Sequence, residues 1–180
     1  MQRERCAVAD TPDFLTLRRN RDGVGRREVP LRRALLALVA LFLLAGLLNA
    51  FGQRPQTSNA ATSAASLKVY APTRVRGGLY YEARFTVTAR RALENALLLL
   101  DSGWLEGMTV NTIEPSPLTE ASRDGKLLLR LGHIRAGSTY LLFMQLQVNP
   151  TNVGRRSQDV ALYDGDTLLT SVDRTVTVFP

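Results

Sequence analysis

His133 is the only histidine in the chain, so it is the only candidate for the base of a serine-hydrolase triad. Ser102 or Ser138 would have to supply the nucleophile, and neither serine lies in a G-x-S-x-G elbow. The sequence around His133 indicates a turn between two strands, where a surface histidine is the simpler interpretation. We therefore predict no catalytic residue and expect that the protein is not an enzyme.

Metal ligands and acidic pairs are equally sparse. Cys6 is the only cysteine, and one cysteine with one histidine does not make a zinc site. The segment Asp164-Gly165-Asp166 lacks the ligand spacing of an EF-hand and predicts a hairpin turn. Glu114 and Glu120 flank a proline-rich loop, and a glycosidase pair would need a cleft that a domain of this size rarely encloses. No metal or cofactor is predicted.

Three side chains have the chemistry of a partner contact. Tyr80 and Arg84 share the polar face of one alternating segment, and tyrosine and arginine are enriched at protein interfaces. An ordinary polar sheet face is the alternative interpretation. Trp104, between Gly103 and Gly107, either caps one end of a β-sandwich or presents its ring to a partner.

A long apolar segment precedes all of these residues. Residues 34–48 contain no polar side chain, and an amphipathic helix of a soluble protein would place charges among them. As a helix, residues 34–52 would rise about 28 Å, close to the hydrocarbon thickness of a bilayer. The sequence predicts a transmembrane signal-anchor helix over residues 30–52.

The charges around this segment predict its orientation. Arg26, Arg27, Arg32 and Arg33 lie before the apolar run, and only Arg54 lies just after it. By the positive-inside rule the amino terminus stays in the cytoplasm and the carboxyl-terminal domain lies outside it. The protein is then a single-pass protein of the cell membrane. A cleaved signal peptide is the alternative, although the basic region before the run is long for a signal.

The net charge of +7 is concentrated near the amino terminus, where residues 1–33 carry nine Arg against five Asp or Glu. Residues 1–29 predict a basic, mostly disordered cytoplasmic tail that touches lipid head groups. Since the excess lies beside an apolar run, membrane topology explains it better than nucleic-acid binding, and no nucleic-acid partner is expected. Residues 53–66 are small and polar, and they predict a flexible linker.

Period-two alternation dominates the remainder of the chain. Residues 79–90 alternate between apolar and polar side chains, as a half-buried strand does. Seven shorter candidates cover or begin at residues 67–71, 97–101, 108–113, 127–131, 140–148, 160–162 and 175–179, although residues 92–100 would also suit a helix. Turn signals recur every eight to fifteen residues. The pattern predicts an all-β fold, an antiparallel two-sheet sandwich over residues 67–180.

Two motifs in this segment resemble those of a known group of domains. Asp101 and Gly107 match an aspartate and a glycine near the third strand. Leu131, Gly132, Ile134, Ala136 and Gly137 match a turn that leads into a long strand. Residues 67–180 thus resemble the immunoglobulin-like conserved-repeat and CARDB-type domains of bacterial surface proteins. The resemblance implies an immunoglobulin-like sandwich that serves as a non-catalytic adhesion, spacer or scaffold module.

Together these observations predict a membrane-anchored protein that presents a non-catalytic β-sandwich for protein interaction or scaffolding at the cell envelope. The expected partner is an unidentified envelope or membrane protein, with lipid contacted through the helix and its arginine flank. One alternative is an accessory subunit of a membrane complex, contacted mainly through the helix. A surface hydrolase is the other alternative.

Overall fold

The computed structural model describes residues 28–50 and 52–180. The chain divides between Leu48 and Asn49 into two compact units, an amino-terminal unit and a β domain. The amino-terminal unit contains helix α1, Glu28–Leu47, whose large apolar side chains are exposed. Within it, Val29–Leu47 is long and apolar enough to cross a membrane, and a signal sequence would have the same properties. The predicted tail, residues 1–29, lies almost entirely outside the described residues.

Helix α1 ends five residues earlier than the predicted Gly52. Its last turn is closed by the Leu48 N–H, which donates to the Leu44 carbonyl oxygen at 2.9 Å. Asn49 then adopts a left-handed conformation with φ 55°. Asparagine tolerates this conformation well at a helix carboxyl terminus, so Asn49 stops the helix before the apolar composition changes.

Thirteen strands follow among residues 52–180. They are β1 Pro55–Ala61, β2 Ala65–Pro72, β3 Arg74–Arg76, β4 Tyr80–Ala89, β5 Leu93–Leu100, β6 Met108–Glu114, β7 Thr119–Arg123, β8 Lys126–Ile134, β9 Thr139–Val148, β10 Gly154–Ser157, β11 Val160–Asp164, β12 Thr167–Val172 and β13 Thr175–Phe179. A 3₁₀ turn, Ser102–Trp104, lies between β5 and β6. The domain is therefore mostly β, as predicted.

Ten of these strands form two five-stranded antiparallel sheets. The first sheet has the order β1-β2-β4-β9-β6, and the second has the order β12-β11-β5-β8-β7. One buried apolar cluster contains side chains from both sheets, among them Phe85 of β4 and Leu98 of β5. A third sheet, β10-β13-β3, was not predicted, and its β13–β3 pair is parallel.

The alternating segments form strands with the predicted inner faces. Tyr81, Ala83, Phe85, Val87 and Ala89 of β4 are all buried, and their neighbours along the strand are half-buried or exposed. Leu142, Met144, Leu146 and Val148 do the same on β9. The alternative helix over residues 92–100 was wrong, because Leu93–Leu100 pairs with both β8 and β11.

The flexible linker predicted over residues 53–66 was also wrong. Residues Pro55–Ala61 form β1, and all seven pair antiparallel with β2, which itself begins at Ala65. The Thr62 N–H closes the hairpin by donating to the Ala65 carbonyl oxygen at 2.8 Å. Backbone hydrogen bonds to a neighbouring strand need no apolar side chains, so a small, polar sequence is sufficient for an edge strand.

Candidate functional site: two outer sheet faces

The first candidate surface is the outer face of the β1-β2-β4-β9-β6 sheet. Its centre is Arg84 on β4, which lies across from Tyr70 of β2 and Phe143 of β9 in the strand register. The Arg84 guanidinium carbon is 5.5 Å from the centre of the Tyr70 ring and 5.6 Å from that of Phe143. A cation over two ring faces is held by the electron-rich π clouds of both.

An acidic neighbour holds the same guanidinium from a third side. Arg84 Nε donates to Glu82 Oε1, two residues earlier on β4. This hydrogen bond, with the charge of Glu82, raises the pKa of Arg84 above its ordinary value. The side chain of Arg84 is 51% exposed and that of Glu82 is 39% exposed. The cation is therefore fixed in position while its outer edge faces solvent.

Tyr80 extends this surface toward the start of β4. It is 64% exposed, and it lines a shallow depression with Glu82 and Gln145. Its backbone carbonyl accepts a hydrogen bond of 2.9 Å from Gln53 Nε2. Exposed Leu141 of β9 lies on the same face. We call Tyr70, Tyr80, Arg84, Leu141 and Phe143 the aromatic face.

Trp104 does not belong to any exposed surface. Its side chain is fully buried, and its ring centre lies 5.2 Å from that of Phe85. The 3₁₀ turn that carries Trp104 approaches β10 closely. A Cβ at Gly103 would overlap the Ser157 carbonyl oxygen, so only glycine fits at this position. The prediction that Trp104 could contact a partner was therefore wrong, and the indole is part of the core.

A buried polar cluster, which was not predicted from the sequence, lies beside this indole. Arg174 is 5% exposed, and its guanidinium carbon is 5.8 Å from the centre of the Trp104 ring. Its Nη2 donates to the carbonyl oxygens of Ala71 at 3.0 Å and Pro72 at 3.4 Å. Its Nε and Nη1 are buried without a hydrogen-bond partner among the residues that the structure describes. Desolvation lowers the pKa of Arg174, although Tyr81 partly opposes this shift.

Tyr81 and Gln158 complete the buried cluster. Gln158 Nε2 donates to the Tyr81 hydroxyl oxygen at 3.1 Å, and Gln158 is fully buried. Burial raises the pKa of Tyr81 to about 12, against smaller opposing effects of Gln158 and Arg174. Tyr81 lies on β4, Gln158 lies between β10 and β11, and Arg174 lies between β12 and β13. Because these residues are far apart in the sequence, no local pattern marks the cluster.

The second candidate surface is the outer face of the β12-β11-β5-β8-β7 sheet. The outward apolar side chains at the centre of the sheet are half-buried, and the one on edge strand β12, Leu168, is exposed. The central ones are Leu97, Leu99, Leu128, Ala161 and Tyr163. We call these six residues the leucine face. A signal for it exists in the sequence, because consecutive leucines at 97–100 and 127–129 leave no polar positions for an outer face.

The structure places the rejected catalytic and metal candidates in ordinary contacts. His133 lies within β8, not in the predicted turn, and its Nδ1 is 3.5 Å from Glu94 Oε2, with both side chains exposed. Asp164 Oδ1 accepts a hydrogen bond of 2.9 Å from the Asn95 N–H, and Asp164 pairs with Thr167 in the predicted hairpin. Glu114 and Glu120 lie on strands of different sheets. Residues 28–50 and 52–180 hold no group of three His, Cys, Asp or Glu placed to bind a metal.

Of the four arginines expected to set the topology, two can be placed. Arg32 and Arg33 lie within the first two turns of α1. Arg26 and Arg27 lie outside the described residues. The predicted inward orientation of the amino terminus stays a prediction.

No protein-family model matches the chain, and no curated protein matches it. Among solved structures, a non-cellulosomal cohesin from the archaeon Archaeoglobus fulgidus aligns with a TM-score of 0.40 at 11% identity, over 58% of this chain and 84% of that one. AvmM, which catalyses macrocyclization in alchivemycin A biosynthesis, aligns with a TM-score of 0.42 at 7% identity, over 72% and 90%. CaCohA2 from Clostridium acetobutylicum aligns with a TM-score of 0.38 at 13% identity, over 58% of this chain and 84% of that one. At these scores the similarities identify neither a family nor a function, and the resemblance to conserved-repeat and CARDB-type domains stays a prediction.

Proposed function

We propose that this chain is a single-pass membrane protein of the cell envelope whose immunoglobulin-like sandwich binds another protein without catalysing a reaction. The observation that carries the proposal is the aromatic face. Arg84 is held between two rings and a carboxylate, so little side-chain entropy remains to be lost when a partner binds it. Tyrosine and arginine are also among the residue types that are enriched where binding energy is concentrated at interfaces.

The test compares two double variants of the full chain in co-purification from mildly solubilised membranes. Tyr80→Ala with Arg84→Ala removes the centre of the aromatic face, and we expect a partner protein to be lost. The matched control is Ser122→Ala with Arg123→Ala, on exposed β7 of the other sheet, which should retain the same partner. If the partner is recovered with both double variants, the aromatic face does not bind it, and contact through the helix is favoured instead.

The membrane anchor is a separate part of the proposal. It is supported by the length and composition of Val29–Leu47 and by the four arginines before the apolar run. External protease on intact spheroplasts should remove an epitope placed after Pro180, and the intact amino terminus should be found on the membrane-bound protein. A mature amino terminus near residues 50–65 would show a cleaved signal instead, and a protected epitope would show the opposite topology.

A further inference from the structure

We infer that the leucine face binds the leucine face of a second copy of this chain, forming a symmetric dimer. This inference concerns the sheet opposite the aromatic face and does not depend on the partner proposed for that face. Strands with apolar side chains on both sides are typical of sheets covered on both sides. The inner side of β5 and β8 is covered by the common core, whereas the outer side is only half-buried.

The strand register arranges the face in rows that run across the five strands. One row is Ala121, Leu128, Leu99, Ala161 and Ser171, from β7 to β12. The next row is Thr119, Arg130, Leu97, Tyr163 and Leu168. In both rows the central β5 position is a leucine. On the β8 side of this leucine lie Leu128 in the first row and Arg130 in the second. On the β11 side lie Ala161 in the first row and Tyr163 in the second.

Charge is also separated across the face. Residues 158–173, which include β11 and β12, contain four Asp and no Lys or Arg. The outward positions of β8 carry Lys126 and Arg130 on the other side. At one end of the face, Lys126 Nζ lies 3.2 Å from Asp101 Oδ1, and both residues line a shallow cleft with Asp159. At this end of the face, Lys126 gives the β8 side a cation and Asp159 gives the β11 side a carboxylate, whereas the outward positions of β11 and β12 are uncharged.

This asymmetry makes the face complementary to itself. Two copies can pack face to face, as sheets do in a sandwich, around a twofold axis that runs along β5 in the plane of contact. The axis places β8 of one copy over β11 of the other. Leu128 then meets Ala161, Leu99 meets Leu99, and Arg130 meets Tyr163. Lys126 of each copy faces the end of β11 that carries Asp159 in the other copy, so charge is matched at this end and volume is matched along the two rows.

The size of the face indicates how strong the contact is. Five strands about 4.8 Å apart, over roughly five residues each, present on the order of 400 Å² per copy. This is about half of what each partner of a stable soluble complex buries. We therefore expect a weak dimer that forms where two chains are concentrated, as they are when two helices share one membrane. This expectation, and the use of vesicles in the test, rest on the proposed anchor, whereas the geometry of the contact does not.

Site-directed disulfide formation tests the geometry on the full chain. The background is Cys6→Ser, with the protein reconstituted in vesicles of phosphatidylethanolamine and phosphatidylglycerol and oxidised with copper phenanthroline. Leu99→Cys lies on the proposed axis, so it should form a disulfide with its own copy. Leu128→Cys mixed with Ala161→Cys should form a mixed dimer faster than either variant forms one alone. Thr86→Cys, on the outer face of the other sheet, is the matched control and should remain monomeric.

Several results would overturn the inference. The inference is contradicted if the Leu99→Cys chain stays monomeric. The face would then be covered by lipid, another protein or water and not by a second copy. A Thr86→Cys chain that is linked as fast as the Leu99→Cys chain also contradicts it, since helix association or random collision would then explain both. As a second measurement, Leu99→Asp would bring two unpaired carboxylates together at the axis and should lower the dimer fraction roughly tenfold or more, whereas Thr86→Asp should not. An unchanged dimer in Leu99→Asp would place the interface elsewhere.

Discussion

Arg84 and Arg174 have the same side chain and the same kind of aromatic neighbour, yet their surroundings differ in almost every other respect. Arg84 lies over Tyr70 and Phe143, pairs with Glu82 and faces solvent. Arg174 lies over Trp104, donates to two backbone carbonyls and has unpartnered donors in the described part of the chain. The pKa of Arg84 is raised by its hydrogen bond to Glu82, and that of Arg174 is lowered by desolvation.

The difference shows what burial does to a guanidinium. An exposed cation needs little from the fold, so its fixed geometry is available to a partner. A buried cation loses its hydration, and only the carbonyls, the ring and its packed stem compensate for that loss. We therefore expect the Arg174 cluster to act on stability and the Arg84 cluster to act on binding.

The largest effect is expected at the ring beneath Arg174. Trp104→Ala should lower the free energy of unfolding by about 4 kcal/mol, because it leaves a cavity between Phe85 and Arg174. The matched variant Tyr80→Ala, on the aromatic face, should change it by no more than about 0.5 kcal/mol. Urea unfolding of both variants checks the contrast. Similar losses in the two variants would contradict the division between the clusters.

Arg174 itself separates packing from charge. Arg174→Ala should destabilise by about 3 kcal/mol, because the stem no longer fills the space over Trp104. Arg174→Met keeps most of that volume and removes the desolvated charge, so its loss should be about 1 kcal/mol or less. Thermal and urea unfolding measure both. A methionine variant as unstable as the alanine variant would show that the carbonyl hydrogen bonds matter more than the packing.

Tyr81 gives the buried cluster a dependence on alkaline pH. Its pKa is about 12 in the folded chain against 10.0 for the exposed group, so between these values only the unfolded chain releases the proton. The free energy of unfolding therefore falls as pH rises from 10, by about 2 kcal/mol at pH 12. This contribution should be absent from Tyr81→Phe. Urea unfolding from pH 8 to 12 measures it, and parallel profiles for the two proteins would contradict the assignment.

The smallest effect on stability is expected at Arg84. Because Arg84→Ala removes a solvent-screened cation, the unfolding curve should be indistinguishable from that of the parent chain. Recovery of the proposed partner should nevertheless fall. A variant that loses stability but keeps its partner would reverse the roles that we assign to the two arginines.

Features that depend only on neighbouring residues, such as the alternation of side chains along one strand, could be predicted from the sequence. Alternation over residues 79–90 and 140–148 predicted β4, β9 and their inner faces, because side chains of a strand alternate between two sides. Asp164-Gly165 predicted the turn between β11 and β12 for a similarly local reason. Tyr80 and Arg84 could be assigned to the outer face from the same period of two.

The remaining features depend on contacts between distant residues. Whether Trp104 is exposed or buried is decided by Phe85 and Arg174, 19 and 70 positions away, which no local pattern reveals. The strand β1 was missed because its side chains are polar or small and its backbone pairs with β2. The leucine face was not predicted although its signal is local, because consecutive leucines show that both sides of a strand are apolar but not which side stays exposed.

The pairing of β1 gives the domain a mechanical property. Its first residue, Pro55, pairs with Pro72 at the open end of the β1–β2 hairpin, whose closed end is at Thr62. Tension applied through the amino-terminal side therefore loads first the hydrogen bonds of Gln53 with Tyr80 and of Arg54 with Thr73, and then those of β1 one after another. All seven side chains of β1 are polar, small or proline, and only Ala60 packs against the apolar core, so little burial resists the peeling. Release of the seven residues would lengthen the tether by about 25 Å while the other four strands of the sheet stay paired.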